Sequence, residues 1–99
     1  MGNVQSQQNT NSLTVANPLP IPVAVNFNGN EVPIPAGQQV VKQYAPTTVV
    51  LMRAFPRGPQ AAMYQMSDQR GQNMSVGNVA LNVAVINEAA GGHPKLGFV

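Results

Sequence analysis

Between Met74 and Asn87 the chain reads MSVGNVALNVAVIN. Gly77, Val79, Leu81, Val83 and Val85 share one parity, and Asn78, Ala80, Asn82 and Ala84 take the other. A period of two over this length places every large aliphatic side chain on one face of an extended strand, because successive Cβ atoms point to opposite sides. Wound as a helix, the same valines would encircle the axis without a polar stripe and would put two Asn in its interior. The segment therefore predicts the main core strand of a β protein. Its second face is small, uncharged and flat. Asn78, Ala80, Asn82 and Ala84 suit packing against another sheet or another subunit, and are the first candidate interface residues.

The rest of the chain continues the β pattern. Leu13 to Ala16 (LTVA) is compatible with a short strand at the end of a Gln/Asn/Ser-rich arm, Met1 to Ser12, expected to order on contact with a neighbour. In Asn17 to Asn28 (NPLPIPVAVNFN), Leu19, Ile21, Val23, Val25 and Phe27 share a face and Pro18, Pro20 and Pro22 the opposite parity. Three prolines remove backbone donors along one side only, which predicts an edge strand; the alternative is an extended Pro-rich lead into a strand that starts at Val23. Asn28-Gly29 is a hairpin signal, since a type I′ turn needs two residues with positive φ. Val32 and Ile34 then alternate with Pro33 and Pro35.

Gln38 to Tyr44 and Thr47 to Phe55 are β-branched runs. The second is apolar on both parities, which predicts cover on both faces or a face turned to a partner. Val50 and Met52 are taken as candidate interface residues on that ground. In Gln60 to Ser67 the Ala and Met residues allow a helical turn, but eight residues between turn signals favour a strand, and Asp68 to Asn73 reads as a polar loop bending at Gly71. Beyond Ala89 to Pro94 (AAGGHP) the tail KLGFV carries Leu96 and Phe98, expected to dock on the chain's own sheet or on a neighbour's. The whole predicts an all-β protein: a small antiparallel sandwich or barrel, jelly-roll-like, of six or seven short strands. It divides into an arm (1–12), a sandwich (13–88) and a hinge with an apolar tail (89–99).

Composition narrows the function. Charged residues make up 8% of the 99-residue chain, against about 25% in an ordinary soluble domain. Eleven Asn and ten Gln supply the polarity instead. A chain with so few charges lacks the mixed charged surface that keeps monomers apart, and so is expected to spend much of its surface on neighbours. The net charge of +2 is scattered, which is no phosphate-binding footprint, and no nucleic-acid partner is expected. Tyr44, Phe55 and Tyr64 beside Lys42 and Arg53 could form a stacking platform, but packing roles account for them with so few cations.

Catalytic equipment is sparse: one histidine, His93, in a Gly-rich link, no cysteine and three dispersed acids. No enzyme activity, metal or cofactor is expected. The absence of an eighteen-residue apolar run and of a basic-then-apolar start predicts neither a membrane-spanning helix nor a secretory signal. Met1-Gly2-Asn3-Val4-Gln5-Ser6 matches the M-G-x-x-x-[ST] pattern for N-myristoylation. An acyl chain on Gly2 would give marginal, reversible membrane affinity; without it no membrane contact is expected.

Glu31 to Gln39 (EVPIPAGQQ), Pro46-Thr47-Thr48 and the late LNVAVIN resemble small β-rich virion proteins of bacteriophages: penton-like, vertex or decoration subunits with a hydrophobic-x-hydrophobic-Pro-Ala-Gly-Gln strand-turn. The likeness spans about half of the chain and departs from the pattern after Gln39, where Val40-Val41-Lys42 stands in place of a Gly-aromatic pair. It implies a structural, non-enzymatic role in a virion, with this chain and other virion proteins as partners. The alternatives are a carbohydrate- or receptor-binding module of a virion and a myristoylated capsid peptide of a eukaryotic virus.

Overall fold

The computed structural model describes residues 9–87 and 92–99. Among them are eight strands: β1 (Asn11–Ala16), β2 (Val23–Phe27), β3 (Asn30–Ile34), β4 (Gln39–Tyr44), β5 (Val49–Pro56), β6 (Arg70–Asn73), β7 (Val79–Ile86) and β8 (Lys95–Phe98). They form two four-stranded sheets, ordered β4-β1-β7-β8 and β3-β2-β5-β6. The protein is an all-β sandwich. Pairing is antiparallel throughout except between β1 and β7, which run parallel with Leu13 opposite Val79 and Val15 opposite Leu81.

The core lies where the inner parities meet. Leu13 and Val15 of β1, Leu81 and Val83 of β7 and Leu96 of β8 come from the first sheet. Val23, Val25 and Phe27 of β2, Ile34 of β3, and Val50, Met52 and Ala54 of β5 come from the second. Each fully buried aliphatic or aromatic side chain of this size contributes about 1.5–3 kcal/mol, so this layer holds the sheets together without disulfide or metal. Asn28 (φ 50°) and Gly29 (φ 90°) make the expected two-residue turn between β2 and β3.

The chain crosses from one sheet to the other at Asn17, which is completely buried. Its side-chain amide donates to the carbonyls of Ile21 (2.8 Å) and Ile34 (3.0 Å), and its Oδ1 accepts from the Leu19 N–H (3.1 Å). Its backbone N–H donates to Gln38 and its carbonyl accepts from Gly37. A buried amide is tolerated only with its hydrogen bonds made, and these hold three crossing segments in one knot.

Several expectations change. The Pro-rich stretch is not an edge strand: β2 starts at Val23 and pairs with both β3 and β5. The prolines precede it, so no ladder donor is lost from a central strand. Gln60 to Ser67 is a 3₁₀ turn at Ala61–Met63 and a single bridge from Gln65 to Lys95, not a strand. The polar stretch after Asp68 is not all loop, since Arg70–Asn73 pairs with β5 as an edge strand. Met74–Val76 forms a 3₁₀ turn ending at Gly77 (φ 103°), so β7 begins only at Val79. Val85, assigned to the core parity, is exposed, although Leu96 opposite it on β8 is buried. LTVA belongs to a central strand, with β4 on one side and β7 on the other. Because β1 begins at Asn11, the arm ends two residues earlier than expected, and the tail strand β8 is part of the sandwich.

Candidate assembly face

On the first sheet the core parity of β1 is Leu13 and Val15, which leaves Ser12, Thr14 and Ala16 outward. Register carries this across the sheet. Thr14 lies opposite Val41 on β4 and Ala80 on β7, and Ala16 opposite Gln39 and Asn82. Ala84 pairs with Gly97 on β8. The outer face is thus a patchwork of Ala, Ser, Thr, Asn, Gln and Gly, with the larger aliphatics at its margins: Val41 on the edge strand β4, and Ile86 and Val99 on the β7–β8 side, all exposed.

Among the described residues the only charged side chain on this parity is Lys95. Its ammonium reaches Asp68 Oδ1 at 3.2 Å, beside the second sheet. Lys42 stands on the inner parity of β4, with its ammonium 5.8 Å from the centre of the Phe27 ring. An inward lysine on an edge strand resists edge-to-edge pairing, so β4 is a poor template for strand addition. Ile86 covers Gly97, where an added Cβ would collide with it. Sheet flatness at β8 therefore depends on glycine at that position.

The candidate residues fall into two groups. Asn78, Ala80 and Asn82 are exposed and Ala84 half-buried, all on or next to the outer face; Asn78 Oδ1 also accepts from the Ser12 N–H (2.8 Å). Val50, Met52 and Leu96 are not surface residues. They are buried in the chain's own core, leaving nothing for a partner to touch. The exposed apolar residues of β5 are the alternate pair, Val49 and Leu51. Phe98 packs against the core and is partly buried. The apolar tail has docked on its own sheet, where Leu96 lies opposite Val85 and Phe98 opposite Val83. Gly2 lies outside the described residues.

The stacking platform does not form. Tyr44 and Tyr64 pack against the core, whereas Phe55 occupies the outer parity of β5. Burial raises the Tyr44 hydroxyl above its usual value near 10. Among the described residues, no three His, Asp or Glu side chains come together as a metal centre would require. Sequence reasoning found the β7 part of the outer face but missed its extension over β1 and β4. Ser12, Thr14 and Ala16 give no signal on their own, because only the parallel register with β7 brings them into one surface.

Comparison of the chain with family models, with curated proteins and with solved structures finds no match.

Proposed function

We propose that this protein is a non-enzymatic virion structural subunit, of the bacteriophage penton, vertex or decoration kind, that assembles with copies of itself and with other virion proteins. The observation that carries this reading is the uncharged outer face of the first sheet, running over β4, β1 and β7 with Gln39, Val41, Thr14, Ala16, Ala80 and Asn82. Surfaces meant to stay in water carry interspersed charges, and interface centres are depleted of them. The phage-like strand-turn at Glu31 to Gln39 agrees with it.

The size of the face says what kind of assembly it suits. Four strands about 4.8 Å apart and some six residues long at about 3.3 Å each present about 400 Å² in projection. A stable pairwise interface uses about 800 Å² per partner. Projected and accessible areas are different measures, but residues compare directly: the strands turn twelve residues outward on this face, against roughly 20–30 a side in a standard interface, so one face is about half of what an isolated dimer needs. It fits a lattice, in which many weak contacts act together and arms extend the contact.

The test is mass in solution and in particles. Light scattering behind size-exclusion chromatography should show mass rising with concentration, and co-expression with the other virion proteins should incorporate the chain into particles. A clean monomer at the highest attainable concentration, with no incorporation, rejects the reading. Removing residues 1–10, which spares β1, should leave the sandwich folded and reduce incorporation.

A further inference from the structure

The outer face of the second sheet is built differently. Leu51, Arg53 and Phe55 stand on alternate positions of β5 and line a groove of about 510 Å³. One wall is the β2–β3 turn, pinned to β5 by three hydrogen bonds: Asn28 N–H to the Leu51 carbonyl and Leu51 N–H to Asn28 Oδ1, both 2.8 Å, and a longer one from the Asn28 amide to the Val49 carbonyl at 3.5 Å. Asn26 lies directly opposite Arg53 in the register. Gln69, immediately before the strand β6, lines the other side.

The charges on this face do not cancel. Arg57 is held by Glu31 at 3.2 Å and lies 5.6 Å from the centre of the Phe55 ring. The other described acid, Asp68, is joined to Lys95. Among the described residues Arg53 has no ion-pair partner, and its Nε, like that of Arg70 on the inner parity of β6, is buried without a hydrogen-bond partner. A buried donor left unpaired costs about 1–3 kcal/mol. The Nε itself is out of reach of solvent, and it is the guanidinium's terminal nitrogens, which are not so buried, that the groove presents. Asn26 spends its Oδ1 on the Gly29 N–H, which leaves its amide NH₂ beside the guanidinium.

We propose that this groove binds an acidic saccharide unit, with the sugar carboxylate on Arg53. A guanidinium fork matches a carboxylate in two parallel hydrogen bonds. The free NH₂ of Asn26 offers donors, and the planar amide of Gln69 both donor and acceptor, to hydroxyl groups that do both. Phe55 and Leu51 give an apolar strip for the C–H face of a ring, and the volume lies within the range of small-ligand sites. An acidic peptide is disfavoured by position. The groove lies over β5, whose backbone is engaged by β2 and β6, so main-chain hydrogen bonds of the kind that hold extended peptides are already taken.

The experiment is an amide-shift titration of the full chain by nuclear magnetic resonance with glucuronate, glucose, acetate and N-acetylglutamate amide. Glucuronate should move the amides of Asn26, Leu51, Arg53 and Phe55 and bind at least several-fold more tightly than the other three. Arg53→Gln should weaken it about tenfold or more, the loss expected for a charge-assisted pair, while Lys42→Gln, on the other sheet, leaves it unchanged. Should Arg53→Gln disturb the strand, Phe55→Leu keeps the fold and should weaken glucuronate several-fold. Equal binding of acetate (a bare anion site), equal binding of glucose, tighter binding of the glutamate amide, or no loss in the arginine and phenylalanine variants each overturns the proposal.

Discussion

The two outer faces of this sandwich have the same backbone plan and opposite chemistry. Over the first sheet the outward residues are mainly Ala, Ser, Thr, Asn and Gln, with Val41 at one margin and Ile86 and Val99 at the other, and its lysines turn away, Lys42 inward and Lys95 toward Asp68. Over the second stand Glu31, Arg53, Arg57, Phe55 and Leu51, grouped around a groove. A flat uncharged surface gains by meeting a broad surface like itself, since nothing on it needs to remain hydrated. A concave surface with one unpaired cation and an aromatic strip gains by enclosing something small. The contrast teaches that the scarcity of charge in this chain is not uniform: among the described residues only Lys95 shares the outward parity of the first sheet, whereas Glu31, Arg53 and Arg57 stand together on the second.

The largest expected effect comes from removing what both faces depend on. Asn17→Ala deletes three side-chain hydrogen bonds at the crossover and strands the carbonyls of Ile21 and Ile34 and the N–H of Leu19. The cost should be about 3 kcal/mol or more. In thermal unfolding that is a fall in Tm on the order of 15 °C, with assembly and groove lost together. A shift of only a few degrees would mean that the sheets hold their places without the knot.

Next come paired charge substitutions, one on each face. Ala80→Lys places a charge at the centre of the uncharged face, and Val49→Lys places the same charge on the outer parity of β5. Both positions are exposed, so stability should change by about 0.5 kcal/mol or less. Ala80→Lys should abolish higher-order mass in light scattering while Val49→Lys leaves it intact. If both assemble, or both fail, the difference between the faces has no bearing on assembly.

A smaller effect is expected at Gly97, where a methyl group would meet the side chain of Ile86. Gly97→Ala should cost about 1 kcal/mol, because the obstructing atoms are the end of a half-exposed side chain that can rotate away. Chemical denaturation of Gly97→Ala alone and together with Ile86→Ala measures this, and the second substitution should return most of the loss.

The smallest effect is in alkali. Tyr44 is held above its usual pKa by burial on the inner parity of β4. In the unfolded chain the phenol ionises first, near pH 10. The contribution of the neutral form is therefore complete below about pH 10 and is lost as pH rises through the higher folded value. Tyr44→Phe should flatten the decline of Tm above pH 10 and change little at neutrality.

Where one face of a strand is buried, its parity could be read residue by residue. Val79, Leu81 and Val83 do turn inward, Ala80 and Asn82 do turn outward, and Asn28-Gly29 does close a hairpin. These follow from the geometry of a single strand or turn, which needs no knowledge of its neighbours. Val50 and Met52 could not be told from Val49 and Leu51, because a strand apolar on both parities names no inner side. β6 was invisible because Arg-Gly-Gln-Asn is held by backbone pairing at an edge, where side chains need not alternate. Arg53 offered nothing in sequence either, since its interest lies in the acid that is not beside it.

The alternating valines between Met74 and Asn87 carry the division clearly. That this stretch is a strand, and which side of it is core, follows from a period of two that no helix can satisfy. That its other side continues across Ser12, Thr14 and Ala16 follows from a parallel register spanning more than sixty residues of chain. Pairing partners are chosen by what the whole core can bury together, and that choice is not written in the local order of residues.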